Sequence, residues 1–306
     1  MAASAADLPA EHLRAPSDLL FPLAPLRRRV AGAVRHIIVG GAPPVRDLSV
    51  PIDDDPGLFG PGSVTWRVHG DTSMLIGGIR ALMLQSLHPL VMLGVAEHSD
   101  YRANPLGRLW NTSTYVGTTT FGTEAQARGV ADAVLRIHES VVGTAPDGTP
   151  YAANDPHLLL WVHHAMIDSF FEAYQRYGAD RLDRACADRY VAETAVLAEI
   201  IGADEPARSV AELRAWMHDV RSELRATREA REALLYIVTF PGLPVLARPG
   251  YSLLVSAAAG LMPAWAQRAL WLPIPPLADP LLVRPAATAF TRFLGWALSA
   301  PLPVAS

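Results

Sequence analysis

Ten histidines stand in this chain of 306 residues, and several fall inside apolar stretches at helical spacing. His138 is the clearest case. In the run from Val134 to Gly143, the residues Val134, His138 and Val141 are spaced i, i+4 and i+7, with Val130 and Ile137 bordering them. A helix puts such residues on one face, so an imidazole is aimed at the core. An imidazole there can ligate a metal or a prosthetic-group iron, or it can be a core histidine bonded to a carbonyl.

A second row is polar. Arg108, Thr112 and Tyr115 again follow i, i+4, i+7, and Thr119 continues them. Threonine and tyrosine are poor choices for a purely solvated helix face, which points to a polar lining. No carboxylate lies within four residues of Arg108. A buried arginine without a local partner requires an anion, such as a propionate or a bound oxygen species. In the run from Trp161 to Phe171, His164 and Asp168 lie one turn apart, so a hydrogen bond between them is feasible. That pair reads either as a histidine ligand with its orienting carboxylate or as a structural link between helices. His88 precedes Pro89 at a helix end, where an imidazolium meets the C-terminal dipole, a structural role.

The elements that must position these groups read as helices. Thr123 to Gln126 forms a capping box, and the pattern predicts one helix running to a glycine cap at Gly143. Asp155-Pro156 starts a helix that runs to Gly178, Asn104-Pro105 starts another, and Ser209 to Glu212 is a second capping box. Asp71 opens a stretch that Pro89 stops, and segments about 26–39 and 180–202 complete the middle. Only Ser63 to Val68 alternates like a strand. The stretch 249–267 carries no formal charge, but Pro263 breaks it; a buried helix is expected there, with membrane-surface association not favoured. Pro273, Pro275 and Pro276 form a rigid loop before a last amphipathic helix at about 285–299. The expected fold is all-α and single-domain, with about ten helices. Residues 1–60 form an arm and an amphipathic helix, 60–245 the core, and 246–306 apolar helices that complete it.

Composition narrows the chemistry. All 26 basic residues are arginine, which excludes Schiff-base catalysis, pyridoxal-phosphate attachment and a P-loop lysine. Cys186 is the one cysteine, so no intramolecular disulfide and no cysteine-rich zinc site can form. A net charge of −4 without a basic block argues against nucleic acid as a partner. The zinc-protease HExxH, the di-iron Glu-x-x-His, covalent-haem CxxCH, GxGxxG and GxSxG patterns are all missing. Asp7 and Glu11 stand where a secretory signal would be basic and then apolar, so a cytoplasmic location is expected.

Several runs together resemble a known family. They are Gly70 to Leu75, Gly77 to Gln85, His88-Pro89, Gly94 to Ser99, Tyr101-Arg102 and Pro105 to Thr112. Phe121-Gly122, His138 to Gly143, Tyr151 to Pro156 and Leu160 to Phe170 continue in order. Their order and spacing are similar to the oxygenase family that includes latex-clearing protein (rubber oxygenase) and the MpaB-type oxygenases. The match covers about residues 60–245, nearer to small actinobacterial-type members than to the rubber oxygenase. The resemblance implies a globin-like helical core holding one non-covalent haem b. It implies His138 as the proximal iron ligand and Arg108 and Thr112 near the haem's other side, with Tyr115 on the same row. His164 and Asp168 would give outer support. Rubber-cleaving members carry a distal lysine three residues after the arginine. Asn111 stands there in this chain, so lysine ligation is impossible and the iron should be five-coordinate or water-bound.

The implied function is a haem-dependent oxygenase that uses O2 on a small apolar, unsaturated substrate, ending in C–C cleavage or oxygen insertion. Two other readings stay open: a non-catalytic haem sensor or carrier, and a helical interaction protein without haem whose partner face is 249–267.

Overall fold

Side-chain caps set where the helices begin. The computed structural model describes residues 24–40, 45–47, 49–272 and 279–299. In chain order its α-helices are α1 Ala24–Val39, α2 Val64–His69, α3 Met74–Gln85, α4 Pro89–His98, α5 Pro105–Phe121 and α6 Glu124–His138. A short ribbon of β1 Val142–Thr144 and β2 Pro150–Ala152 follows. Then come α7 Pro156–Tyr177, α8 Arg184–Ile200, α9 Val210–Asp219, a 3-10 turn Val220–Glu223 and α10 Arg228–Thr239. The chain closes with α11 Arg248–Leu261, α12 Ala264–Ala269 and α13 Arg284–Leu298. The protein is all-α, with thirteen α-helices among the described residues rather than about ten.

The local signals act as their chemistry dictates. Asn104 Oδ1 accepts from the Gly107 amide, and Asp155 accepts from the His157 and Leu158 amides. Pro105 and Pro156 occupy first-turn positions that have no amide to waste. Thr123 and Gln126 close the reciprocal capping box of α6.

Helix α7 is the centre of the molecule. Leu158, Trp161, Ala165, Ile167, Phe170, Ala173 and Tyr177 are all buried, and so are residues on its other faces. Helix α3 lies against it at close range. A Cβ on Gly77 would sit 2.8 Å from Phe170 Cδ1 and 3.1 Å from the Phe170 Cα, so the approach needs a residue without a side chain. Ile76, Met83, Leu84 and Leu87 join Trp161 in the main core cluster, which α11 closes with Leu254, Val255 and Ala257 to Ala259. A second cluster sets Val64 and Val68 of α2 against Phe170, Phe171 and Tyr190.

Four expectations need correction or limits. The Ser63 to Val68 stretch is helical: Ser63 caps α2 by accepting from the Trp66 amide, and Val64, Thr65 and Val68 all go into the core. Two-residue alternation cannot separate a strand from a helix buried on most of its surface. Helix α6 ends at His138 instead of Gly143, because Val142 to Thr144 pairs in register with Pro150 to Ala152. The uncharged 249–267 stretch is not one helix. It is α11 and α12, broken at Met262-Pro263, with Ala257 and Ala258 fully buried. The three-proline loop at 273–276 lies outside the described residues.

No single helix among the described residues is long and apolar enough to cross a membrane. Helices α3 and α4 reach that length together, but the chain turns by 101° between them.

Candidate functional site

His138 is the last residue of α6. It is half-buried, and its Nδ1 is sealed from solvent without a hydrogen-bond partner. Burial holds its pKa below the ordinary value, and the neighbouring Asn154 amide opposes this only in part. Asn154 itself is tied to the Leu135 carbonyl at 3.1 Å. The imidazole is therefore neutral near pH 7, which is the form that ligates a metal. Its expected face-mate Val141 lies beyond the helix, in the turn that leads to β1.

Arg108 is on the first turn of α5. Its Nη1 donates to the Ser99 hydroxyl at 2.5 Å, at the C-terminal cap of α4. Among the described residues no carboxylate pairs with it. Burial lowers its pKa, and the Tyr101 side chain is the one group that pulls the other way. The Tyr101 hydroxyl is buried and unpartnered. The Tyr101 hydroxyl is thus a buried donor without an acceptor, and the guanidinium has one serine oxygen and, among the described residues, no carboxylate.

The polar row of α5 divides. Tyr115 is half-buried, and desolvation pushes its pKa up to about 12. Thr119 is buried and spends its hydroxyl on the Tyr115 and Val116 carbonyls. Thr112 is exposed, as is Asn111. Helix α4 touches both halves of the candidate site. Ser99 takes Arg108, and a Cβ on Gly94 would lie 3.4 Å from Val141 Cγ1 and 3.6 Å from the Tyr151 ring. Next to it Tyr151 donates to the Glu97 carboxylate, with His98 Nε2 3.3 Å from the same phenol oxygen.

The expected His164–Asp168 hydrogen bond is not made. His164 Nε2 accepts from the Ala207 amide at 3.1 Å, so the proton is on Nδ1. Its ring meets Trp216 edge to face at 4.6 Å. Asp168 instead pairs with Arg80 of α3 at 2.8 Å. The spacing was right for a contact, but each group has a better partner elsewhere, His164 in the loop between α8 and α9 and Asp168 on α3.

His88 also departs from expectation. It is the N-cap of α4 rather than a helix C-terminus, it is buried, and burial lowers its pKa, so it is neutral and not an imidazolium.

One buried group went unread in the sequence. His69, at the end of α2, contacts Thr120 Oγ1 at 2.8 Å through Nδ1 and the Tyr190 hydroxyl at 3.0 Å through Nε2. Burial pushes its pKa down to about 3. His163 lies near it, buried, also at about 3, with Nδ1 unpartnered. The signal for His69 was obscured because its segment reads as a strand.

Comparison with known proteins fits the arrangement of runs along the chain. The family described as ER-bound oxygenase mpaB/B'/rubber oxygenase, catalytic domain, matches residues 66–296. The match begins in α2 and ends in α13, so it takes in the C-terminal helices as well as the 60–245 region. The uncharacterized protein Mb2261 of Mycobacterium bovis and the uncharacterized protein Rv2237 of Mycobacterium tuberculosis are each 33% identical over 112 residues, covering 35% of this chain and 43% of the relative. The chain therefore spans less than half the length of these relatives. No solved structure matches. With the matched region spanning nearly all of the described helical body, this chain belongs to the mpaB/rubber oxygenase catalytic-domain family.

Proposed function

We propose that the chain is a haem b-dependent oxygenase acting with O2 on a small apolar, unsaturated substrate. The observation that carries this reading is the His138 imidazole: neutral, with a buried Nδ1 that makes no well-formed hydrogen bond and has only the Asn154 side chain beside it. In a family of oxygenase catalytic domains, that is the group expected to hold an iron. Haem would supply the binding and reduction of O2, and a histidine holding the iron would tune its electronics.

The chain's own residues do the rest. His138 would hold the iron, with Asn154 beside the ring to fix its orientation. Tyr101 presents a buried hydroxyl without a partner, and Arg108, held by Ser99 through Nη1 and paired with no carboxylate among the described residues, would offer its remaining N–H groups to a propionate or another anion. Ser99 fixes the guanidinium against α4, so it need not reorganise as negative charge develops. Tyr115 stays a neutral donor across the physiological range, since burial disfavours its phenolate. The exposed Thr112 would contact the rim of the bound group.

Reconstitution with hemin tests the reading. Wild-type protein should take up about one haem per chain, and His138→Ala should lose the Soret band while keeping its helical circular dichroism. Retention of a wild-type spectrum by that variant, with loss in His163→Ala or His164→Ala, would move the ligand to α7.

A further inference from the structure

Three residues from separate parts of the fold, none of them His138 or Arg108, meet at one point. His88 caps α4, His157 lies in the first turn of α7, and Glu223 ends the 3-10 turn before α10. His157 Nε2 is 2.9 Å from Glu223 Oε2, and His88 Nε2 is 3.4 Å from the same oxygen. One potential ligand atom from each residue lies within 4.8 Å of the other two. Two atoms that share one ion at about 2.1 Å stand about 3.0–3.4 Å apart at octahedral or tetrahedral angles. The two contacts to Glu223 already fall at or near that spacing.

An ordinary histidine–carboxylate pair explains His157 and Glu223, whose side chains are 47% and 42% exposed. It does not explain His88. That side chain is 3% exposed, and both of its ring nitrogens are buried without a hydrogen-bond partner. A buried imidazole normally satisfies at least one nitrogen. Here Nδ1 has no partner and Nε2 has only the 3.4 Å approach to the Glu223 oxygen, long for a hydrogen bond and within the spacing of two ligands on one ion.

The surroundings hold the three groups in place. The Arg225 amide donates to the Leu87 carbonyl at 2.8 Å, which pins the chain just after Glu223 to the residue before His88. Asp155 caps α7 through the His157 amide itself. The Trp161 ring lies 6.1 Å from His88 and the Trp216 ring 5.7 Å from His157, so an apolar wall backs the cluster.

We propose that His88, His157 and Glu223 form a binding site for one divalent transition-metal ion, separate from the haem site proposed above. Two imidazoles and one carboxylate are a donor set for zinc or ferrous iron rather than for magnesium or calcium, which take oxygen ligands. The half-exposed His157 and Glu223 leave the remaining coordination positions to solvent. A bound ion would tie the starts of α4 and α7 to the segment that leads into α10.

The test uses the full chain, stripped with chelator and titrated with zinc chloride by calorimetry, with zinc counted by elemental analysis after desalting. Wild type should bind one zinc per chain, and zinc should raise its melting temperature. His157→Ala and Glu223→Gln change half-exposed groups, so they should fold and lose affinity at least ~10-fold, together with the thermal shift. His138→Ala should keep the full zinc stoichiometry. The site is overturned if wild type binds no zinc. It is equally overturned if both surface variants bind zinc as wild type does, or if His138→Ala abolishes the binding.

Discussion

Asp168 of α7 forms its ion pair with Arg80 of α3 at 2.8 Å, where both side chains are largely out of water, at 15% and 3% exposure. Arg80 also donates to Ser169 Oγ at 2.7 Å and to the Leu261 carbonyl of α11 at 3.1 Å. One guanidinium thus ties three core helices. Removing one member strands the other. Asp168→Ala and Arg80→Ala should each cost ~3–5 kcal/mol of stability by chemical denaturation. A loss under ~1 kcal/mol for either would show that water reaches the pair.

Stability should fall in acid ahead of ordinary carboxylate titration. Burial pushes His69 and His163 down to about 3 and His164 down to about 4, from an ordinary value of 6.5. Below pH ~6.5 the unfolded chain takes up protons at these rings while the folded chain does not. Their contribution is complete above that pH and is lost progressively down to about 3 to 4. Melting temperature should therefore drop steadily from pH 7 to pH 4.5, and His163→Gln should flatten the slope. A flat profile over that interval contradicts the buried neutral state.

Gly77→Ala should be destabilising by ~1–3 kcal/mol. Its new Cβ meets Phe170 at 2.8 Å, and the Phe170 backbone and the Ser169 carbonyl lie within 3.2 Å. Backbone cannot yield as a side-chain tip does. An exposed control such as Gly129→Ala, where nothing lies within 4 Å, should leave stability unchanged or raise it slightly.

Arg108→Ala should fold and lose at least ~10-fold in oxygen affinity or turnover, the scale of one charge-assisted hydrogen bond. Unchanged behaviour would return Arg108 to the role of a packing residue.

With no lysine in the chain and Asn111 exposed, the ferric haem-loaded protein should have an exchangeable sixth position. Cyanide and imidazole should bind in one fast phase. A purely low-spin ferric spectrum in ligand-free buffer, stable to mild pH change, would mean that a side chain such as His98 or His163 occupies that position.

Helix starts were legible because caps are local. Thr123, Asp155 and Asn104 act on amides two or three residues away. The end of α6 was not legible, because it depends on Gly143 pairing with Tyr151 across a turn. The polar row of α5 was visible as spacing, but periodicity cannot say that Thr112 faces solvent while Tyr115 is half-buried. His164 and Asp168 were read from their spacing as a pair, yet their partners Ala207 and Arg80 come from other parts of the chain. His157 and Glu223 carry no local pattern at all; only the fold brings them to His88.

The central position of α7 has a kinetic consequence. It packs against α2, α3, α8, α9, α11 and α13, so no single neighbour can lift away and expose its amides. Those amides should be the slowest in the protein to exchange with deuterated solvent, opening only when the whole chain unfolds. His138 is placed differently. It ends a helix beside a two-stranded ribbon, and its neighbour Ile137 is 64% exposed. A helix end of that kind frays on its own, far more often than the core opens. A prosthetic group held there could enter and leave a chain that stays folded, so loading would be governed by the motion of a few residues and not by the lifetime of the native state.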